Sequence, residues 1–363
     1  MTTSWPSHVL RARALVLEHG WNATSYQIVN PGILHWFSQN EDAVVGYVPY
    51  GGFRVVAGAP VCALSRLPDV VAEFESGSRF AKQKVCYFGA EARLDNVLID
   101  SPSHSRALLG AQPAWNPTHW DDIVHSHKSL RAQLNRAANK SMTIVEYSSA
   151  DAMAALDLQR VLARWLAGRR LPPLHFLVEP ATLDRLDDRR IFVARHGEAG
   201  TEEPISAFAV LSPIPARNGW LVEQFPRVPR APNGTIELLL TSAVSAIAKS
   251  GSTYVTLGLA PLARRDGLAH DSEPRWLRVA LRFAALHGQR FYNFSGLEAF
   301  KAKFKPEEWE PVYAIENSPH FSPRALYAIA GAFASKSPLR LVTTAVLKAA
   351  AQEIRWLRRD DRS

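Results

Sequence analysis

The sequence predicts an α/β (α+β) protein with two similar halves, each a mixed β-sheet flanked by helices. The first half contains "AVVGYVPYGGFRVVAGAPV", in which two β-rich runs meet at Gly51-Gly52 as a hairpin. A helix and another strand follow, and the same order of hairpin, helix and strand recurs in the second half. At 363 residues, the chain also exceeds the size that one hydrophobic core usually serves.

In the first half, apolar periodicity and turn residues define the elements. They predict a helix over Ser7–His19, then the hairpin, a helix over about Leu67–Lys82 and a strand over Lys84–Ala90. A basic helix over about Asp122–Asn139 runs into a strand and connects the two halves.

In the second half, a helix over about Ala150–Leu166 precedes the β-rich runs "RRIFVARHG", "PISAFAVLSPI" and "GWLVEQFPR". A helix over Thr235–Lys249 and the strand "TYVTLGLAPL" follow them. We therefore expect an N-terminal domain over residues 1–145, a C-terminal domain over 146–320 and a basic amphipathic helical tail over 321–363.

Composition restricts the partners and the compartment. The net charge of +8 and the pI of 9.6 favour nucleic acid, an anionic membrane surface or a phosphorylated ligand. Cys62 and Cys86 form no CxxC pair and have no zinc spacing, so we expect them to be reduced and buried. No metal is predicted, because the histidines show no ligand spacing either (His104, His119, His127 and His175). The start lacks the apolar core of a signal peptide, and no apolar run reaches membrane-spanning length. We expect a cytoplasmic protein, or one peripheral on the inner face of the cell membrane.

Five segments together indicate a family. They are "VGYVPYGGFRVVAGAPV", "LRAQLNRAANKSMTIVEY", "RAPNGTIELLL", "VTLGLAPLA" and "YNFSGLEAFKAKFKPEEWEPVYA". In this order they resemble the C-terminal catalytic domain of bacterial phosphatidylglycerol lysyltransferases, also called the aminoacyl-phosphatidylglycerol synthase domain or DUF2156. The resemblance covers residues 20–320.

The resemblance implies two tandem acetyltransferase-type (GNAT) folds and a reaction. Members of the family move an aminoacyl group (lysyl, alanyl or another) from a charged tRNA to a lipid hydroxyl at the cytosolic membrane face. Phosphatidylglycerol is the leading acceptor, and anionic phospholipid is an expected partner. Aminoacyl-tRNA is the co-substrate, and no metal or acetyl-CoA is needed. The sequence contains no counterpart of the large membrane domain of the best-known members, so we expect a synthase without a flippase, with the use of another acceptor as the alternative.

The segment "APNGTIELLL" places Asn233, Gly234 and Thr235 at the mouth of a predicted helix. Free backbone N–H groups and the helix dipole favour an anion there, such as a phosphate of tRNA or lipid. The alternative is an ordinary helix cap with Asn233 or Gly234 as the N-cap. The resemblance favours a substrate site and makes Glu237 a candidate catalytic acid/base or amino-group ligand.

Two further segments supply candidates. Glu223 is the acidic residue of the apolar run "GWLVEQFPR". It lies either on a solvated strand face or in a cleft, where it could take the acceptor's proton or hold an ammonium group. In "VTLGLAPLARRD", amides near Gly258 are candidate oxyanion donors and Arg264 is a candidate phosphate ligand, with a solvated loop as the alternative.

Three lysines follow a predicted tight turn at Ser295-Gly296, on a helix whose apolar stripe ends at Phe304. Lys301 and Lys305 would stand one turn apart, where like charges destabilise a helix by about 0.2–0.5 kcal/mol unless an anion offsets them. Lys301 and Lys303 match the family pattern "FKxKF". The resemblance favours a catalytic role for Lys301 and substrate binding for Lys303. Lys305 is a further candidate for substrate binding from its charge and position, and lysines that only solubilise the helix are the alternative.

The basic helix between the halves carries the candidates for tRNA binding, Lys128, Arg131 and Arg136. His125, Lys128 and Arg131 would share one face at spacings of three. A solvated basic face is the alternative. The C-terminal tail either lies on anionic lipid or packs its apolar stripe against the core.

Two other functions remain open on the sequence. The first is an acyltransferase of the same fold that uses acyl-CoA or a non-lipid acceptor. The single glycine in "RAPNGT" argues mildly against this, because a pyrophosphate usually needs several backbone amides. The second is a non-catalytic protein that binds RNA or membranes.

Overall fold

The computed structural model describes residues 5–169, 175–197, 205–263, 276–277 and 294–334. The elements of the first half are, in chain order, α1 (Ser7–His19), β1 (Leu34–Phe37), β2 (Val44–Tyr50), β3 (Phe53–Ala57), α2 (Leu67–Phe80), β4 (Lys84–Ala90), α3 (Ala92–Leu98), β5 (Ser105–Trp115), α4 (Trp120–Ser126) and α5 (Lys128–Ala138).

The second half consists of a further set of described strands and helices. They are β6 (Met142–Tyr147), α6 (Ser149–Ala154), α7 (Leu156–Ala167), β7 (Arg190–His196), β8 (Ile205–Ile214), β9 (Gly219–Gln224), α8 (Thr235–Lys249), β10 (Tyr254–Thr256), β11 (Ala260–Pro261), α9 (Phe294–Ala302), β12 (Glu308–Glu316) and α10 (Pro323–Ala334).

A repeated unit appears in each half. In the first, the antiparallel pair β2–β3 is followed by α2, and β4 then pairs in parallel with β3. In the second, the antiparallel strands β7, β8 and β9 are followed by α8, and β10 pairs in parallel with β9. Parallel neighbours need such a crossover because the end of one strand and the start of the next lie at opposite ends of the strands, so the chain must run back between them. The predicted class of two similar halves, with a mixed sheet flanked by helices, is confirmed.

One continuous sheet joins the halves, in the order β1-β2-β3-β4-β12-β5-β10-β9-β8-β7-β6, and β11 pairs with β5. The order contains an exchange. The late strand β12 lies between β4 and β5, and the early strand β5 pairs with β10. The division into domains over 1–145 and 146–320 stays a prediction.

Apolar clusters cover both faces of the sheet. In β8, Ala207 and Ala209 pack on the α8 side, whereas Phe208 and Val210 pack against α7. Successive side chains of a strand point to opposite faces, so β8 is buried along its whole length. This explains why its sequence is an almost unbroken apolar run.

Three helix predictions need correction. The helix expected over about Ala150–Leu166 is two helices, α6 and α7, because Ala155 between them is extended (φ −78°, ψ 96°). The single helix expected over about Asp122–Asn139 is two helices, because His127 adopts an extended conformation (φ −109°, ψ 94°) between α4 and α5. Ser295-Gly296 is not a turn before a helix, because α9 begins at Phe294 and contains both residues.

The described part of the C-terminal tail is α10, which packs against β2, β3 and β4. Ala325, Ala328 and Ala332 are buried in that contact. Packing on the core, one of the two alternatives for the tail, therefore holds for α10, while residues 335–363 lie outside the described residues. None of the helices within the described ranges is both long enough and apolar enough to cross a bilayer.

Candidate active site

The second half contains an opening between two parallel strands. Strands β9 and β10 pair from Gly219–Tyr254 to Leu221–Thr256, where β10 ends, while β9 continues to Gln224. The chain after β10 turns away and forms β11, which pairs with β5. The carboxyl ends of parallel strands at which the sheet opens are the usual place for ligands in α/β proteins.

Gly258 makes this turn possible. Its φ of +69° is a left-handed conformation that favours glycine, and a Cβ at this position would lie 3.1 Å from Leu221 Cδ1. The Gly258 amide donates to Thr256 Oγ1 (3.0 Å). That amide is therefore engaged, and its role as an oxyanion donor, which would require this bond to break, stays a prediction. Arg264, the other candidate in this segment, lies outside the described residues.

Lys301 on α9 fills the opening from the side. Its Nζ donates to the carbonyl oxygens of Gly258 (2.7 Å) and Leu259 (2.8 Å), which β9 no longer meets because the strands have parted. The residue is only 4% exposed, so the alternative of a lysine that only solubilises the helix does not hold for Lys301. Burial penalises the ammonium and lowers the pKa of Lys301 to about 7.

The other two lysines lie beyond the helix, since α9 ends at Ala302. Lys303 Nζ forms an ion pair with Glu237 Oε1 at 2.5 Å, which joins the end of α9 to the first turn of α8. Lys305 is exposed and has a φ of +44°, so it does not stand one turn from Lys301 on a helix as expected. The repulsion between Lys301 and Lys305 that the sequence suggested is therefore not built into the fold.

Aromatic side chains pack around the chain segment that follows α9. Phe304 is fully buried and stacks on Trp120 with ring centroids 5.8 Å apart. Trp115 Nε1 donates to the Phe304 carbonyl (2.9 Å), and Phe300 packs edge-on between Phe304 and Phe225. These contacts fix the position of the adjacent lysines.

The mouth of α8 is closed on one side by α5. Gly234 is the N-cap with φ +91°, and a Cβ there would lie 2.1 Å from the carbonyl oxygen of Gln133. Thr235 is buried and its hydroxyl donates to the Pro232 carbonyl (2.7 Å), whereas Asn233 is exposed. The choice between Asn233 and Gly234 as N-cap thus falls to Gly234. Anion binding at this helix mouth stays a prediction.

Glu223 is not brought together with Glu237 and Lys301. It forms an ion pair with the buried Arg189 (2.7 Å), and its side chain is 10% exposed. Glu223 is the extra residue of a bulge in β9, since Val210 of β8 pairs with Gln224 and Leu211 pairs with Val222. Because its side chain is largely buried against Arg189, Glu223 does not lie on a solvated face, and its catalytic role stays a prediction.

The sequence missed the next residue, Gln224. It ends β9 at the opening, and its Nε2 is buried with no hydrogen-bond partner among the described residues. A buried donor without a partner is costly, so such a group at a site calls for an acceptor such as water or substrate. In the sequence, Gln224 stands at the end of a predicted strand before "FPR", and nothing there distinguishes its side chain from a solvated one.

The predicted tRNA-binding side chains lie on α5, and their shared face with His125 is not formed. His125 belongs to α4, on the other side of the break at His127. Lys128 and Arg136 are exposed, whereas Arg131 donates to the His125 carbonyl. Since α5 packs against α8, two exposed cations lie on the helix next to the mouth of α8.

Comparison with known proteins decides the family. The family model described as phosphatidylglycerol lysyltransferase, C-terminal, matches residues 13–316. The chain belongs to this family. The Bacillus subtilis phosphatidylglycerol lysyltransferase is 26% identical over 308 residues, which cover 84% of this chain and 34% of that protein. The chain spans less than half the length of the curated relatives it matches.

Solved structures of similar fold agree with the family. The C-terminal DUF2156 domain of an Agrobacterium fabrum lysylphosphatidylglycerol synthetase superposes with a TM-score of 0.74 and 24% identity, covering 91% of this chain and 98% of that one. The Bacillus licheniformis L-PGS structure gives a TM-score of 0.71 at 21% identity, with 94% and 96% covered. The resemblance that the five segments predicted is confirmed.

This member of the lysyltransferase C-terminal family also has a buried charge cluster that the sequence did not reveal. Arg217 binds both carboxylate oxygens of Glu310 and lies 3.6 Å from Glu91. Tyr254 and Gln112 donate to Glu310 Oε2 at 2.7 and 2.9 Å. Burial raises the pKa of Glu91 to about 8, while Arg217 holds the pKa of Glu310 below its usual range despite desolvation. The cluster ties β12 and β5 to β10 at the exchange of strands.

Within the described ranges, no group of three or more His, Cys, Asp or Glu side chains is arranged to hold a metal ion. Cys62 and Cys86 are both buried thiols.

Proposed function

We propose that this chain transfers an aminoacyl group from aminoacyl-tRNA to a hydroxyl of phosphatidylglycerol. The observation that carries the proposal is a match to the family model over residues 13–316, together with a buried lysine at the opening between β9 and β10. The proposed co-substrate is the aminoacyl-tRNA itself, with no further cofactor. The proposed place of reaction is the inner face of the cell membrane.

The chemistry is an exchange of esters. The acceptor hydroxyl oxygen attacks the aminoacyl carbonyl carbon, and the bond from that carbon to the terminal ribose oxygen of tRNA breaks. The acceptor's proton ends on the ribose hydroxyl, so no oxidant or other reactant is needed. The ester is already activated, so the protein must position the reactants, move one proton and stabilise the oxyanion.

Lys301 suits the electrostatic part of this task. A protonated lysine carries three N–H donors, and the carbonyls of Gly258 and Leu259 accept two of them. The third can donate to the developing oxyanion or to a phosphate oxygen. With a pKa of about 7, Lys301 can also exchange a proton near neutral pH. Gln224 supplies a second donor at the same opening.

Glu237 and Lys303 form an ion pair between the first turn of α8 and the chain just after α9, two residues from Lys301. Their ion pair leaves side-chain exposures of 14% and 25%, so substrate can reach both groups. An incoming ammonium group of the aminoacyl moiety would compete with Lys303 for the carboxylate, which is the role we propose for Glu237. Lys128 and Arg136 on α5 are proposed contacts for the tRNA backbone.

A transfer assay tests the function. Purified protein is mixed with phosphatidylglycerol vesicles and tRNA charged with a labelled amino-acid mixture, with and without ribonuclease, and the organic phase is resolved and counted. We expect ribonuclease-sensitive label in a lipid product, which also identifies the amino acid. Unlabelled lipid in the presence of folded protein and intact charged tRNA would refute the proposal.

Variants link the activity to the site. Lys301→Met and Glu237→Gln should each lower the transfer rate. The matched control is Lys249→Met, which removes an exposed lysine at the far end of α8. If the two site variants transferred label as fast as this control, the reaction would be located elsewhere in the chain.

A further inference from the structure

Around the start of β4, one end of the sheet is formed by three chain segments that contain no Asp or Glu; β5 begins beside them, after the exposed Asp100. Residues 43–60 form the β2–β3 hairpin, residues 77–90 the end of α2 and β4, and residues 317–334 lead into α10. They meet in space. The Lys84 amide donates to the Gly52 carbonyl (3.0 Å), and the rings of Tyr50 and Tyr327 lie 5.7 Å apart. The basic side chains of the three segments are Arg54, Arg79, Lys82, Lys84 and Arg324.

An aromatic side chain projects from this basic end. Phe80, the last residue of α2, is 93% exposed, the most exposed of the large apolar side chains within the described residues. Arg79 and Lys82 flank it and are both exposed. Tyr327 on α10 adds a second aromatic ring that is 46% exposed. Single exposed apolar residues are common, but here the ring stands within a cationic surface.

The carboxylate nearest to the start of β4 does not neutralise this surface. Glu316 is buried and already paired with Lys84 Nζ (3.3 Å), and it also accepts from the Ser322 amide (2.6 Å). Glu316 therefore neutralises Lys84 and does not pair with the other cations at this end of the sheet.

The last two acids of α2 are also engaged elsewhere. Glu75 is buried, accepts from the Tyr87 hydroxyl (2.9 Å) and lies 3.0 Å from His104. Glu73 is half-buried and accepts from the Gln39 amide (2.9 Å). The exposed cations at the end of this helix therefore have no exposed acid within its last two turns.

We propose that this end, which we call the Phe80 surface (Arg79, Phe80, Lys82, Arg324 and Tyr327), docks on an anionic phospholipid bilayer. The Phe80 and Tyr327 rings enter the interface while the cations meet lipid phosphates. Aromatic rings with adjacent Lys and Arg are the side chains that anchor proteins at such interfaces. Such docking rests on the proposed function, which brings the chain to a lipid acceptor.

Strand directions place this surface at the same end of the sheet as the opening. From β4 to β10 the sheet has three antiparallel steps, through β12 and β5, so β10 runs opposite to β4. The amino end of β4 and the carboxyl ends of β9 and β10 therefore face the same way. A bilayer on the Phe80 surface would lie at the end toward which the opening faces.

The exposed ring favours a bilayer over RNA as the occupant. Basic side chains attract either polyanion, but a nearly fully exposed Phe gains most from an apolar environment that surrounds it. A bilayer interface supplies this around the whole ring, whereas a base covers only its faces. RNA is kept as an outcome of the test.

The experiment measures binding to vesicles of phosphatidylcholine alone and of phosphatidylcholine with phosphatidylserine. Phosphatidylserine supplies anionic charge and is not the proposed acceptor, so binding reports the surface and not the site. We expect wild-type protein to sediment with the anionic vesicles only. Phe80→Ala should weaken binding on the order of tenfold, and Arg79→Gln with Lys82→Gln by at least about tenfold.

A labelled variant tests insertion directly. The chain has two cysteines, Cys62 and Cys86, and both are buried, so a Phe80→Cys variant accepts an environment-sensitive dye at position 80. Leu64→Cys is the matched control, because Leu64 is 62% exposed outside the three segments. We expect anionic vesicles to blue-shift the dye at position 80 and to leave the dye at position 64 unchanged.

Each outcome decides between the two proposals. Vesicle binding that the Phe80 and Arg79/Lys82 variants do not weaken, or a dye at position 80 that responds to tRNA and not to vesicles, would overturn the Phe80 surface. Transfer to short-chain phosphatidylglycerol in micelles tests the reaction without a bilayer. If the protein binds vesicles but transfers no aminoacyl group to phosphatidylglycerol in these micelles, the proposed function alone would be overturned.

Discussion

Replacing Lys301 by Met separates the charge of this residue from its length. The variant keeps an unbranched side chain in the same space but leaves the carbonyls of Gly258 and Leu259 without their donor. A buried acceptor that loses its partner costs about 1–3 kcal/mol. Against this, the variant no longer has to bury an ammonium group. The net loss of stability at neutral pH should therefore be smaller than the summed cost of leaving the Gly258 and Leu259 carbonyls without a donor.

The pH dependence gives a sharper signature. The pKa of Lys301 falls from 10.5 to about 7 on folding, so between these values the unfolded chain binds a proton that the folded protein does not. Stability therefore rises with pH across this window, by at most about 5 kcal/mol, because each pKa unit corresponds to about 1.4 kcal/mol. The Lys301→Met variant should lack this rise.

The assay is denaturant unfolding of wild-type protein and variant at several pH values from 7 to 10.5. The difference between the two free energies of unfolding is plotted, so that other titrating groups cancel. Transfer rates measured on the same preparations should fall by about 100-fold or more, as for loss of an oxyanion donor. A difference that stays flat with pH would show that Lys301 remains charged in the fold and would refute the burial argument.

Three other changes test the structure. The pKa of Glu91 is raised from 4.5 to about 8, so between these pH values the folded protein holds a proton that the unfolded chain releases. The stability of the wild-type protein should therefore fall as pH rises from 4.5 to about 8. Denaturant unfolding of Glu91→Gln should show a shallower fall. Gly234→Ala should destabilise by more than the roughly 1–2 kcal/mol of a left-handed alanine, because its Cβ also meets α5. Gly251→Ala, with φ +83° and open space, is the control in thermal unfolding. Phe304→Ala should cost about 3–5 kcal/mol in denaturant unfolding, whereas Phe80→Ala should leave stability unchanged because that ring is exposed.

Local patterns predicted much of this fold. The helix over Thr235–Lys249 was predicted at its observed bounds, since its glycine entry and apolar periodicity are local properties. The repeat of hairpin, helix and strand followed from turn residues and alternation. The break at His127 was not predicted, because no Gly or Pro marks it.

The site needed tertiary information. The burial of Lys301 depends on carbonyls at Gly258 and Leu259, which lie far away in the sequence and are freed only because β9 and β10 part. The cluster of Glu91, Arg217 and Glu310 draws on three distant segments. Spacing within one segment could suggest basic residues, but not which of them would be buried, paired or exposed.

The exchange of strands affects how the chain must reach its native state. Since β12 lies between β4 and β5, the sheet of the first half remains incomplete until residues 308–316 have left the ribosome. A fragment that stopped at residue 145 would contain β4 and β5 without the strand that joins them. Synthesis of this chain therefore leaves strand edges unpaired for most of its length, and its folding depends on a late, long-range closure that chaperones can protect.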